Sequence, residues 1–228
     1  MTEPGRAESA AALAQCPRLA AGEPFDFVCA GCGDCCRNRR DLVLSGYDLY
    51  RIARRLSLPP RLTADAFCKQ EFAPQTLLPA VVLRPNARTG NCPFFEADAC
   101  TIHAARPLAC ALYPLGQAID PATAAMEYYV QLPLCGARVS AQEQRTLQNY
   151  LDDAAITARA GIDVRWAVVC TQLSDKLQQA GGRENPRYLP AARRIARALY
   201  FDYSIQDDFY PQFNANTQAL WPLLDKML

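Results

Sequence analysis

Histidine is almost missing from this chain. His103 is the only one in 228 residues, and most zinc, copper and non-haem iron sites draw on several imidazoles. Most histidine-based metal centres are therefore excluded. Excess charge of either sign is missing too. The 24 lysines and arginines offset 23 acidic side chains to leave +1, which excludes a general nucleic-acid coater and an acidic solvating tail. No apolar run approaches the ~18–20 residues of a membrane span. Met1–Gly22 lacks a basic leader, since Glu3 and Glu8 stand there and the Ser9–Ala14 stretch is weakly apolar, so it does not read as a secretory signal. The chain has no dinucleotide fingerprint, phosphate loop, Ser/His/Asp set or His-x-Glu deaminase signature. These absences predict a soluble, cytoplasmic protein, with neither membrane nor nucleic acid as partner.

Cysteine is what the chain does have. Eleven are present, an odd number with no sign of export, which argues against a disulfide framework and for metal ligands or catalytic thiols. Their placement is uneven. Cys29, Cys32, Cys35 and Cys36 form C-x2-C-x2-C-C, and Cys92, Cys100 and Cys110 follow, with Cys135 in Leu134-Cys135-Gly136. Two residues between cysteines make a turn that aims both sulfurs at one metal, with Gly31 and Gly33 easing the backbone. Cys29, Cys32 and Cys35 also copy the ferredoxin run that wraps three corners of a cubane. Adjacent side chains diverge, so Cys35 and Cys36 are expected on different metals, or one of them on a substrate. The looser second group suits ligands brought in by separate loops. Eight thiolates, Cys29, Cys32, Cys35, Cys36, Cys92, Cys100, Cys110 and Cys135, match two four-cysteine sites.

Eight thiolates around two +2 centres leave roughly −4, which is costly to bury. Arg37, Arg39, Arg40 and Arg106 lie beside the cysteines in sequence and are the candidates to offset it, with Arg37 and Arg106 foremost as cofactor-binding residues. His103 reads as a polar residue, with a metal ligand or acid/base group near Cys100 as the alternative, and Asp34 reads as a turn residue. Cys16, Cys68 and Cys170 read as small packing residues. The aromatic C-terminal stretch (Tyr200, Phe201, Tyr203, Phe209, Tyr210, Phe213, Trp221) reads as core, and Arg187, Arg193, Arg194 and Arg197 as a solvated helix face.

The expected fold is α+β, a loop-rich, Cys-ligated metal-binding core with a small sheet, covered by C-terminal helices. Residues 1–24 read as a loose lead-in, 25–138 as the cysteine-cluster domain and 139–228 as a helical region. Strands are expected at Asp41–Leu44, Leu77–Leu83, Pro114–Ile119 and Met126–Leu132. A Ser45/Asp48 capping box opens a helix bearing Leu49, Ile52, Ala53 and Leu56, ended by Pro59-Pro60. Thr63 would cap a short helix through Cys68. A Ser140/Glu143 box would open another with Leu147 and Leu151, followed by helices at about Val164–Gln179 and Pro190–Tyr200, a linker at Gly181–Pro186 and a last helix ending at Leu228. With long loops and few strands, metal would supply much of the folding energy.

These motifs resemble the YkgJ-type cysteine-cluster family, described as zinc- or iron-chelating. The resemblance is carried by Phe27 through Cys36-Arg37, Cys92-Pro93-Phe94, Cys100-Thr101-Ile102-His103, Arg106-Pro107-Leu108-Ala109-Cys110 and Tyr113-Pro114, over about residues 25–136. Flagellin lysine N-methylases carry a similar cluster. The resemblance implies one or more 4Fe-4S clusters and, on the methylase branch, methyl transfer to a protein lysine with S-adenosylmethionine as donor. His103 departs from the usual Tyr, and residues 140–228 match no pattern. Two readings stay open: an iron–sulfur enzyme acting by methyl or electron transfer on a protein substrate, and a zinc-stabilised, non-catalytic protein-binding module. A third is metal carriage through Cys35 and Cys36.

Overall fold

The computed structural model describes residues 15–29, 32–37, 42–131, 137–138 and 145–228. Arg39, Arg40, Cys135 and the Ser140/Glu143 pair lie outside them. The described residues form an α+β structure of helices and short antiparallel sheets, and none of their helices is long and apolar enough to cross a membrane. Two compact units interleave along the chain: Met1–Arg40, Pro85–His103 and Leu108–Val164 make one, and Asp41–Arg84, Ala104–Pro107 and Arg165–Leu228 the other.

The first unit carries the cysteine motifs. Leu115–Ile119 and Met126–Val130 form the expected hairpin, and Arg18–Leu19 adds a third strand beside Met126–Val130. Its turn closes on Asp120, whose carboxylate accepts from the Ala122 N–H (2.8 Å) and the Thr123 hydroxyl (2.7 Å). Phe27–Val28 pairs with Ala137–Arg138. Behind these strands Phe25, Ala111, Leu112, Leu115, Leu147, Leu151 and Ile156 make one buried cluster. Tyr150 packs edge-on against Phe25 and shares its hydroxyl proton between the Ala111 and Tyr113 carbonyls, at 2.9 and 2.7 Å. The Leu147–Asp153 helix is capped by Thr146 and Asn149 in a reciprocal box. Arg159 and Asp163 form a two-pronged ion pair, both bonds 2.8 Å, with both side chains about 95% out of water. Removing one partner of such a pair strands a buried charge.

The second unit packs a three-stranded antiparallel sheet, with Pro79–Leu83 central between Val43–Leu44 and Cys68–Phe72, among helices. The Ser45/Asp48 capping box is present and opens the Gly46–Leu56 helix. Leu49, Ile52 and Ala53 are buried on its inner face, and Val169, Leu173, Ile195, Leu199 and Phe213 are buried in the same unit. Pro59-Pro60 does not end this helix. Ser57 does, in the left-handed conformation at φ 56°, and Pro60 starts the next helix, Pro60–Phe67. A proline suits a first turn, where no N–H is needed and φ is already set. Thr63 is consequently no cap. It lies buried inside the helix, its hydroxyl donating to the Pro59 carbonyl at 3.2 Å. Cys68 opens an edge strand that carries no apolar alternation, so the sequence concealed it. The helix expected from Val164 begins at Ala160. Tyr188–Ala196 continues into a wide turn at Arg197–Phe201, and Phe209–Met227 is the last helix.

The aromatic stretch is core in its larger part, but Tyr210 is exposed and Trp221 only half-buried, contrary to expectation. Tyr200, Phe201, Tyr203, Phe209 and Phe213 are buried, and Phe209 stacks on both Tyr203 (4.8 Å) and Phe213 (5.4 Å). Gly46 is where helix and wide turn meet most closely, because a Cβ there would stand 2.0 Å from the Leu199 carbonyl oxygen. That neighbour is backbone and cannot swing aside. Gly46→Ala is therefore expected to destabilise the protein by about 1–3 kcal/mol through overpacking. Gly161→Ala, on a helix with nothing within 4 Å of its Cβ, should stabilise by up to ~1 kcal/mol. Urea unfolding of both variants checks the contrast.

Cys68 supplies a pH test. Burial pushes its thiol up to about 12 from 9.0, with Arg84 pulling weakly the other way. The folded chain thus keeps a proton that the unfolded chain releases above pH 9, so stability falls as pH rises through that window. Between pH 8 and 10 this group should cost about tenfold in the folding equilibrium. Cys68→Ala should remove that share of the alkaline slope in urea titrations.

Candidate metal centre

A short sequence sets the first cysteine loop. Gly33 takes φ +72°, where other residues are strained, and Asp34–Cys36 follows as a single 3-10 turn closed by the Cys36 N–H on the Gly33 carbonyl (2.8 Å). Gly33 is needed twice over, since a Cβ there would lie 2.3 Å from the Phe95 ring. The second loop begins with a turn in which Asn86 accepts from the N–H groups of Arg88 and Thr89. It then forms a hairpin, Phe95–Glu96 against Ala99–Cys100. Ala97 and Asp98 both have positive φ (46° and 58°) at its tip, as a two-residue hairpin turn requires.

The two loops are docked by backbone and by one arginine. The Cys92 N–H donates to the Cys36 carbonyl at 2.8 Å. Arg37 donates to the Cys32 carbonyl (2.7 Å) and to the Asp98 carboxylate (2.9 Å), and its guanidinium lies 5.0 Å over the Phe95 ring. Arg37 thereby clamps one loop to the other. Its charge is part of the cysteine-bearing unit, as the sequence suggested. Arg106 belongs to the other unit, where its carbonyl faces Arg51. The clamp partners Phe95 and Asp98 were not singled out from sequence. Their only signal is the aromatic after Cys92-Pro93 and the acid two residues before Cys100.

Docking crowds thiols. The Cys35 and Cys36 sulfurs stand 4.0 Å apart, both half-buried. These neighbours do not diverge as expected, because the 3-10 turn brings both sulfurs to one side. The Cys36 thiol is pushed far above its ordinary range, first by its hydrogen bond with Cys35, then by burial, then by the charges of Cys35, Cys92 and Cys100. So the structure brings Cys35, Cys92 and Cys100 near enough to act on Cys36. Cys29, which is exposed, and Cys110, on the Leu108–Leu112 helix, are not among the groups that act on Cys36. Cys32 is disulfide-bonded, so it ligates metal only after reduction. None of the other described cysteines is in a disulfide.

Among the described residues no three Cys, His, Asp or Glu side chains stand converged as a finished cage. The chemistry of the donor set nonetheless fits a cation. Thiols that raise one another's proton affinity hold their protons until a positive ion offsets the repulsion. His103 is exposed on its own 3-10 turn, Cys16 and Cys170 are half-buried, and Cys68 is buried as a packing residue. Arg193 and Arg194 are exposed, while Arg197 pairs with Asp202 and Arg187 reaches the Met227 carbonyl.

None of the curated proteins or solved structures matches this chain. A family model does match, over residues 28–136, and that span takes in both cysteine groups and the Arg37 clamp between them. The model it matches there is that of the CxxCxxCC family, described as a putative zinc- or iron-chelating domain.

Proposed function

We propose that the cysteine-cluster stretch holds a single tetrahedral metal ion, zinc before iron, which ties two loops together and makes the first unit a metal-stabilised binding module. The 4.0 Å separation of the Cys35 and Cys36 sulfurs carries this reading. Zinc–sulfur bonds of about 2.3 Å in a tetrahedron space sulfurs about 3.8 Å apart. A cubane instead gives each cysteine its own iron, which sets the sulfurs further apart. Cys92 and Cys100 supply the remaining ligands, and the ion provides charge that lets all four thiols ionise. Around Zn²⁺ four thiolates leave a net −2, which the Arg37 guanidinium beside the Cys32 carbonyl partly offsets.

The second reading is an iron–sulfur protein. It is favoured by the ferredoxin-like spacing of Cys29, Cys32 and Cys35, with Cys110 and Cys135 as further ligands. Methyl transfer from S-adenosylmethionine to a protein lysine would belong to it and rests on resemblance alone.

Purification without air and with reductant, followed by elemental analysis, decides between them. The expected product is colourless with about one zinc per chain. A brown protein with broad absorbance near ~400 nm, iron and acid-labile sulfide would establish the second reading. A metal-free chain would overturn both. Cys36→Ser and Cys92→Ser should each lose the metal and lower Tm by about 10 °C, the equivalent of several kcal/mol at this chain length. Cys170→Ala should retain it.

A further inference from the structure

The outer side of the Gly46–Leu56 helix carries charge that neither the fold nor the cysteine cluster uses. Tyr47, Tyr50, Arg51, Arg54 and Arg55 line a shallow cavity of about 320 Å³ closed on one side by Ala104 and Ala105. All of these residues belong to the second unit. Spacings of three and four residues put the guanidinium of Arg51 on one helix face with those of Arg54 and Arg55.

What holds these arginines is neutral. Arg51 donates to the Ala104 carbonyl (2.7 Å) and lies 5.8 Å over the Tyr47 ring. Arg54 donates to the Tyr50 hydroxyl (3.2 Å), which itself donates to the Asp207 carbonyl (2.5 Å). Among the described residues no carboxylate pairs with Arg51, Arg54 or Arg55, whereas Arg18, Arg37, Arg61, Arg159 and Arg197 each have one. The chain as a whole is close to neutral at +1, so three adjacent uncompensated cations are a local feature and not general basicity.

A structural role accounts for Arg51, which ties the helix to the 104–106 segment. The last-turn position of Arg54 and Arg55 suits the helix dipole, but that effect asks for no cavity and no aromatic floor. We propose that this cavity binds the phosphoryl group of a small-molecule ligand. A phosphoryl group carries about −1.5 to −2 charges and three acceptor oxygens, against one charge on a carboxylate, and guanidinium forks match it in two-pronged fashion. The volume is at the small end of ligand sites, enough for a phosphate and a short appendage over the Tyr47 ring.

Isothermal titration of the full, metal-loaded chain with inorganic pyrophosphate at low salt tests this. Saturable binding is expected, weakened at least tenfold in the Arg54→Gln/Arg55→Gln variant and unaltered in Arg193→Gln/Arg194→Gln. Both double variants change exposed side chains, so an unchanged thermal midpoint confirms that each is folded. Absence of saturable heat up to about 10 mM, undiminished binding by Arg54→Gln/Arg55→Gln, or equal binding of acetate would overturn the proposal. Pyrophosphate attacking the metal centre would register as undiminished binding in that variant, so failure here is distinct from failure of the metal reading.

Discussion

Sulfur crowding is the constraint on which the first unit turns. Four thiols brought together by two loops cannot all ionise in each other's field, and Cys36 shows the consequence: neighbouring sulfurs and burial both favour its protonated form. A bound cation adds an attraction to each thiolate that outweighs their mutual repulsion. The same arrangement is therefore costly as a set of bare thiolates and favourable as a ligand set. The buried cluster around Phe25, Leu115 and Leu147 includes none of the described residues of these loops.

The loops are also docked by contacts that do not involve their sulfurs. Three weak devices act together there: a backbone hydrogen bond from Cys92 to Cys36, the flat approach of Gly33 to Phe95, and Arg37 spanning from the Cys32 carbonyl to Asp98. The Arg37–Asp98 pair is exposed, Asp98 especially, so as an ion pair it is worth at most about 1 kcal/mol. Its importance is geometric, since it selects one relative placement of two otherwise irregular segments. Cys32 adds a redox condition, because its sulfur is engaged in a disulfide.

The second unit is held differently. Its stability comes from interlocked aliphatic and aromatic side chains, and its close contacts are backbone against backbone, as at Gly46 and Leu199. Cys68 lies there as a packing residue whose thiol burial keeps protonated. That division explains why eleven cysteines do not behave alike. A sulfur in an apolar core is inert, whereas a sulfur beside other sulfurs in a glycine-bearing loop has the surroundings of a reactive or ligating thiol.

Local chemistry was legible in the sequence wherever one segment decides its own conformation. The Ser45/Asp48 box, the Asp120 hairpin and the apolar faces of the long helices are of this kind, and so is the dense run from Cys29 to Cys36, whose metal-binding character follows from composition and spacing. Three things only the tertiary structure decided. Pro59-Pro60 starts a helix where it was expected to end one, because the preceding helix had already stopped at Ser57. Cys35 and Cys36 face together, because a 3-10 turn rotates them so. Phe95, Asp98 and the Arg51–Arg55 cavity acquire meaning only from partners far away in the chain. A sequence specifies backbone preference residue by residue, but which loops meet, and which charges stay uncompensated, depends on packing between distant segments.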